Sequence, residues 1–145
     1  MKQEDKELLL QDLCSRLPYG VKVLYKHSVF DIDYISSMYE EVHLDIVDNY
    51  TIGISEVKPY LFPMSSMTEE QTEEIHNLIY QGVSESVDET KEWLKIRKEN
   101  DLRPITLTYI LSYKLVIDWF CKNHFDYRDL IPKGLAIDCT NLNVY

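Results

Sequence analysis

Cys121 and His124 stand three residues apart, a spacing at which two side chains on one helix touch. A thiol beside an imidazole is the minimal pair of cysteine nucleophilic catalysis, the imidazole acting as base. His124 also opens the run His124-Phe125-Asp126-Tyr127-Arg128, which gathers an imidazole, a carboxylate, a phenol and a guanidinium within five positions. Two accounts fit that density. In one, the run is a helix end: His124 lies near the last carbonyls, Asp126 caps the next turn, and Arg128 pairs with Asp126 or Asp129. In the other, His124, Asp126, Tyr127 and Arg128 form a recognition patch with Tyr127 and Arg128 as its anchors. The first asks for less, and it leaves Cys121 near an apolar stripe, where a thiol is inert.

Other chemistries find little support. There is no Gly-x-Ser-x-Gly elbow, so no familiar serine nucleophile is present. His27, His43, His76 and His124 fall on separate segments without HxH or HxxxH spacing, and no metal site is expected. His124 with Asp126 and Asp129 could hold a cation, but a cap and a surface carboxylate explain these residues more simply. The four glycines do not form a phosphate-binding loop, so no cofactor is expected. Eleven tyrosines and two tryptophans could stack on a ligand ring, although such residues more often fill cores and protein interfaces.

These groups must be positioned by elements that the pattern of apolar residues makes visible. Leu9, Leu10, Leu13 and Leu17 predict a helix over residues 4 to 16, stopped by Pro18 and turned by Gly20. Apolar residues then alternate. Val21, Val23 and Tyr25 form one set, Phe30, Ile32 and Tyr34 a second, Val42, Leu44 and Ile46 a third, and Ile52 and Ile54 a fourth. Four short strands joined by short connections predict an antiparallel meander, closed by a helix or curled into a small barrel. Asp31, Asp33, Glu41, His43 and Asp45 take its solvated side.

Pro59 and Pro63 bracket an apolar linker that, lacking donors at its ends, is not expected as a central strand. Thr68 and Gln71 form a capping box that opens a helix over 69 to 81, with Ile75, Leu78 and Ile79 inward. Ser86 to Glu89 opens another, carrying Trp93 and Leu94 to about residue 100. Ile105 to Leu111 has strand-like content, and Ser112 would cap a buried helix running to about Asn123. Leu135-Ala136-Ile137 could add a strand, and the apolar end Val144-Tyr145 should be tied down.

The 145 residues, 45% hydrophobic and 28% charged, predict a single α+β domain. Its expected parts are a helix plus β-meander over 1–63, an acidic helical segment over 64–103, and a C-terminal helix with a docked tail over 104–145. The C-terminal helices should pack on the sheet. A net charge of −10 opposes direct nucleic-acid binding. Residues 68 to 101 carry 10 acidic and 4 basic side chains, either a solvated helix face or a surface for a basic partner. Cys14, Cys121 and Cys139, an odd set without CxxC spacing, are expected as buried free thiols in a reducing compartment. The charged start, Met-Lys-Gln-Glu-Asp-Lys-Glu, and the lack of a spanning apolar run point to a cytoplasmic protein with no membrane contact. Oligomeric state stays open, a homo-oligomer included.

Three segments carry a resemblance: residues 12–23 (DLCSRLPYGVKV), residues 57–70 (VKPYLFPMSSMTEE), and the closing Phe125-Asp-Tyr-Arg-x-Leu-Ile-Pro-x-Gly-Leu-Ala136, preceded by Asp118-Trp119. Together they resemble a group of small uncharacterised proteins encoded by gut Bacteroidales genomes and their phages and prophages. That pattern has Gly where this chain has Asp129, which argues against a tight turn there. The resemblance implies a phage or prophage setting but no activity and no site residues. In such a setting a small protein often acts by binding, blocking a host-defence protein or sequestering a signalling nucleotide. The expectation is therefore a non-enzymatic accessory protein that binds a host protein in the bacterial cytoplasm. A binder of a small nucleotide-like ligand is the alternative, and a cysteine enzyme using Cys121 and His124 is a third.

Overall fold

The structure, a computed structural model, describes residues 1–45, 51–80 and 107–145. The first helix, α1, spans Gln3–Arg16, with Glu4 and Asp5 in its first turn and Arg16 in its last, each charge complementing the helix dipole. A 3-10 turn, Leu17–Tyr19, carries Pro18, and Gly20 takes φ +72°, the left-handed turn for which glycine is suited. The predicted meander follows as β1 (Lys22–Tyr25), β2 (Ser28–Ser36), β3 (Glu41–Leu44) and β4 (Thr51–Gly53), each antiparallel to the next.

The sheet is larger than four antiparallel strands. β5 (Val57–Leu61) pairs antiparallel with β1, β6 (Ile137–Asp138) pairs parallel with β5, and the order is β4-β3-β2-β1-β5-β6. Among the described residues the sheet is thus six-stranded and mixed, with no pairing between β4 and β6, and the segment expected as a linker is an inner strand. Pro59 is tolerated there for a local reason. The Leu61 carbonyl accepts from the Cys139 N–H, so Leu61 and, by alternation, Pro59 face the β6 side. β6 starts pairing only at Tyr60, so the N–H that proline lacks has no ladder acceptor waiting for it.

A second departure lies in β2. Ile32 pairs with Leu44 but Tyr34 with His43, so two residues of β2 span one of β3. This bulge at Asp33 inverts the alternation beyond it. Ile35 joins the core opposite Val42, while Tyr34, expected inward with Ile32, is 49% exposed and stacks on His43 with ring centres 3.6 Å apart.

Contacts divide the chain into two compact units, Met1–Met64 with Cys121–Tyr145, and Ser65–Phe120. In the first, Leu9 and Leu13 of α1 cover one face of the sheet over Val21, Val23, Ile32, Val42, Ile52 and Val57, with Leu130, Leu135 and Ala136 of the tail completing the core. In the second, α2 (Glu69–Tyr80) opens on the predicted reciprocal cap: the Thr68 N–H donates to Gln71 Oε1 at 2.9 Å and the Gln71 N–H to Thr68 Oγ1 at 3.2 Å. Ile75 and Ile79 are buried, while Leu78 is half-buried.

Helix α3 (Leu107–Lys122) begins earlier than expected. The stretch from Leu107 to Leu111 is helical rather than strand, and Ser112 lies inside the helix. Trp119 Nε1 donates to Glu74 Oε2 at 2.9 Å, joining α3 to α2. The helix expected over 86 to 100 lies outside the described residues. No helix among the described residues is long and apolar enough to cross a membrane.

Candidate functional site

Helix α3 ends at Lys122, and His124 takes φ +58°, the left-handed residue that closes a helix C-terminus. From there the chain crosses the end of β5. The Phe62 N–H donates to the His124 carbonyl at 2.9 Å and the Asp126 N–H to the Phe62 carbonyl at 2.8 Å. This places the run from His124 to Arg128 beside the end of α1, where it meets two residues that the sequence reading passed over.

Those residues are Asp12 and Arg16, both fully buried. Arg16 Nε donates to Asp12 Oδ2 at 2.7 Å, and Nη2 reaches Asp12 Oδ1 at 3.0 Å and the Phe125 carbonyl at 2.7 Å. Burial works against the guanidinium charge, but attraction and hydrogen bonding from Asp12 outweigh it and raise its pKa. Arg128 approaches the same carboxylate, its Nε 3.5 Å from Asp12 Oδ1, and donates from Nη1 to Gln11 Oε1 at 3.3 Å. Arg128 was expected to pair with Asp126 or Asp129; it pairs with Asp12 because the tail folds back onto α1. The Tyr127 ring centre is 5.4 Å from the guanidinium carbon of Arg16 and 5.0 Å from that of Arg128.

Asp126 is the expected cap. Its two oxygens accept from the N–H groups of Leu130 and Ile131, each at 2.8 Å. Burial raises its pKa, against those two amides. Asp129 adopts φ +57°, so the turn that Asp129 had argued against does form. Aspartate is among the few non-glycine residues that accept this conformation.

Cys121 and His124 do not pair. The thiol faces the Tyr127 hydroxyl at 3.7 Å, and burial raises its pKa, the opposite of an activated nucleophile. Cys139 is buried likewise and pushed up to about 11, whereas Cys14, expected inside, is exposed on α1. All three are free thiols. His124 stacks on Tyr145 with ring centres 3.8 Å apart and planes 12° apart. Burial first, then the charges of Arg16 and Lys22, lowers its pKa to about 4. It is therefore a neutral ring at pH 7 rather than the cation expected at a helix end. Its Nδ1 is buried and has no hydrogen-bond partner among the described residues.

The four candidate residues are thus brought together, but as parts of an internal fastener joining α1, β5 and the tail. Three stretches distant in sequence meet in it: Asp12 and Arg16, Tyr60 and Phe62, and Phe125 to Arg128. Asp12 and Arg16 could have been found in the sequence, because with Leu9 and Leu13 they complete an i, i+3, i+4, i+7 stripe. No group of three metal-ligating side chains occurs among the described residues. Family models, curated proteins and solved structures contain no match to this chain.

Proposed function

We propose that this chain is a non-catalytic binding protein that engages a protein partner through the tip and outer side of the β2–β3 hairpin. In the setting the resemblance implies, that partner is a host protein of the bacterial cytoplasm. One observation carries the reading: large apolar side chains are exposed together on this hairpin, Met38 at 82%, Tyr39 at 66% and Tyr34 at 49%. Such side chains are costly to leave in water without a use, and aromatic and Met anchors are typical of interface centres. In the closing segment, by contrast, Asp126, Tyr127 and Arg128 are engaged in hydrogen bonds within the fold, which favours binding over catalysis.

The test is capture from host lysate by the folded wild type and by a Met38→Asp/Tyr39→Asp variant of unchanged melting temperature. A protein retained by the wild type and lost by the variant supports the reading. Equal capture by both, or none, overturns it. A rise in melting temperature with nucleotides in the wild type would favour the small-ligand alternative instead.

A further inference from the structure

The β1–β5 ladder stops one pair short of its geometric end. Val23 faces Pro59 and Leu24 faces Lys58, so continued register would set Lys22 against Tyr60 and join their backbone groups directly. Instead the Tyr145 hydroxyl stands between them, accepting from the Lys22 N–H at 3.3 Å and donating to the Tyr60 carbonyl at 3.0 Å. The rest of the ring is held by the His124 face, 3.8 Å away and nearly parallel, and by the tilted Phe62 ring at 6.2 Å. Tyr145 nonetheless remains 42% exposed. Its hydroxyl end is enclosed, with burial the first cause of its raised pKa, while the residue that delivers it is open to water.

These features describe a receptor for an aromatic ring: a flat stacking wall, a tilted second wall, and a backbone donor and acceptor that together fit one hydroxyl. We propose that this slot is a ligand site for a small, uncharged hydroxyaryl molecule, and that Tyr145 is its built-in competitor, a latch that a ligand must displace. The latch has the advantage of being tethered, so its effective concentration is high. An external ring enters readily only when the latch is removed or outcompeted. The inference is independent of the hairpin reading, since none of its residues lies on the β2–β3 hairpin.

Removing the latch tests it. In Tyr145→Ala the slot is emptied, and p-cresol, which reproduces the missing side chain, should raise the melting temperature of the variant in a saturable manner. The same concentration should leave the wild type nearly unchanged. Toluene, which has the ring but not the hydroxyl, should act far more weakly on the variant. Should Tyr145→Ala fail to fold alone, recovery of a cooperative transition with p-cresol is the equivalent supporting result. No effect of p-cresol on the variant, an equal effect of toluene, or an equal shift in the wild type overturns the proposal.

Discussion

At the scale of single residues, the most consequential group is Arg16, because a buried charge is tolerated only while its partners remain. It satisfies Asp12 and the Phe125 carbonyl together. Arg16→Met would leave a buried carboxylate with Arg128 at 3.5 Å as its remaining ion-pair partner, a loss of about 3 to 5 kcal/mol measurable by urea denaturation. Asp129 makes a conformational prediction. At φ +57° a β-branched side chain is strained, so Asp129→Val should cost about 1 to 2 kcal/mol, whereas Asp129→Gly should not. His124 makes a pH prediction. Its folded pKa of about 4 lies below the ordinary 6.5, so protons bind the unfolded chain first. Its contribution to stability is complete above pH 6.5, is lost as pH falls toward 4, and is constant below; a shift of that size corresponds to about 3 kcal/mol. The raised pKa of Asp126 runs the other way, its contribution falling as pH rises above the ordinary carboxylate range. His124→Asn keeps a residue that accepts φ +58° and leaves Asp126 in place, so the slope difference between wild type and variant isolates the histidine. Equal slopes from pH 7 to 4 would refute it.

At the scale of elements, strands β1 to β4 were legible because apolar residues alternate along the sequence of each, α1 because its stripe is local, and α2 because its stripe and its cap are local. What stayed hidden depends on partners far along the chain. Pro59 forbids a strand only where its nitrogen would face a ladder partner, and where β6 begins is not written near Pro59. The bulge at Asp33 is equally silent, since Phe30, Ile32 and Tyr34 alternate without a break in sequence while the pairing with β3 slips by one. That slip has a measurable consequence. Ile35→Ala should destabilise by about 2 kcal/mol as a core truncation, and Tyr34→Ala by less than about 1 kcal/mol, an order opposite to the one simple alternation implies. In the closing segment the residue types drew attention correctly, but their roles were set by Asp12 and Arg16, more than 100 residues earlier.

At the scale of the molecule, the division into units follows from a single crossing point. The chain leaves the first unit just after Phe62 and returns just before Phe125, and these two residues bridge each other through the Phe62 and Asp126 N–H groups. The stretch between them forms the second unit, Ser65–Phe120. The first unit has its own core, drawn from α1, β1 to β5 and tail residues, and it holds the Asp12–Arg16 pair, the Asp126 cap and the Tyr145 slot. Contacts this complete predict an independently folding unit. A chain in which residues 1–64 are joined to 121–145 by a short Gly/Ser linker should unfold in one cooperative transition, with an m-value lower than that of the full chain because less surface is exposed. Its His124 and Tyr145 rings should retain the mutual ring-current shifts of a stacked pair. A non-cooperative transition, or loss of those shifts, would mean that the first unit does not fold without residues 65–120.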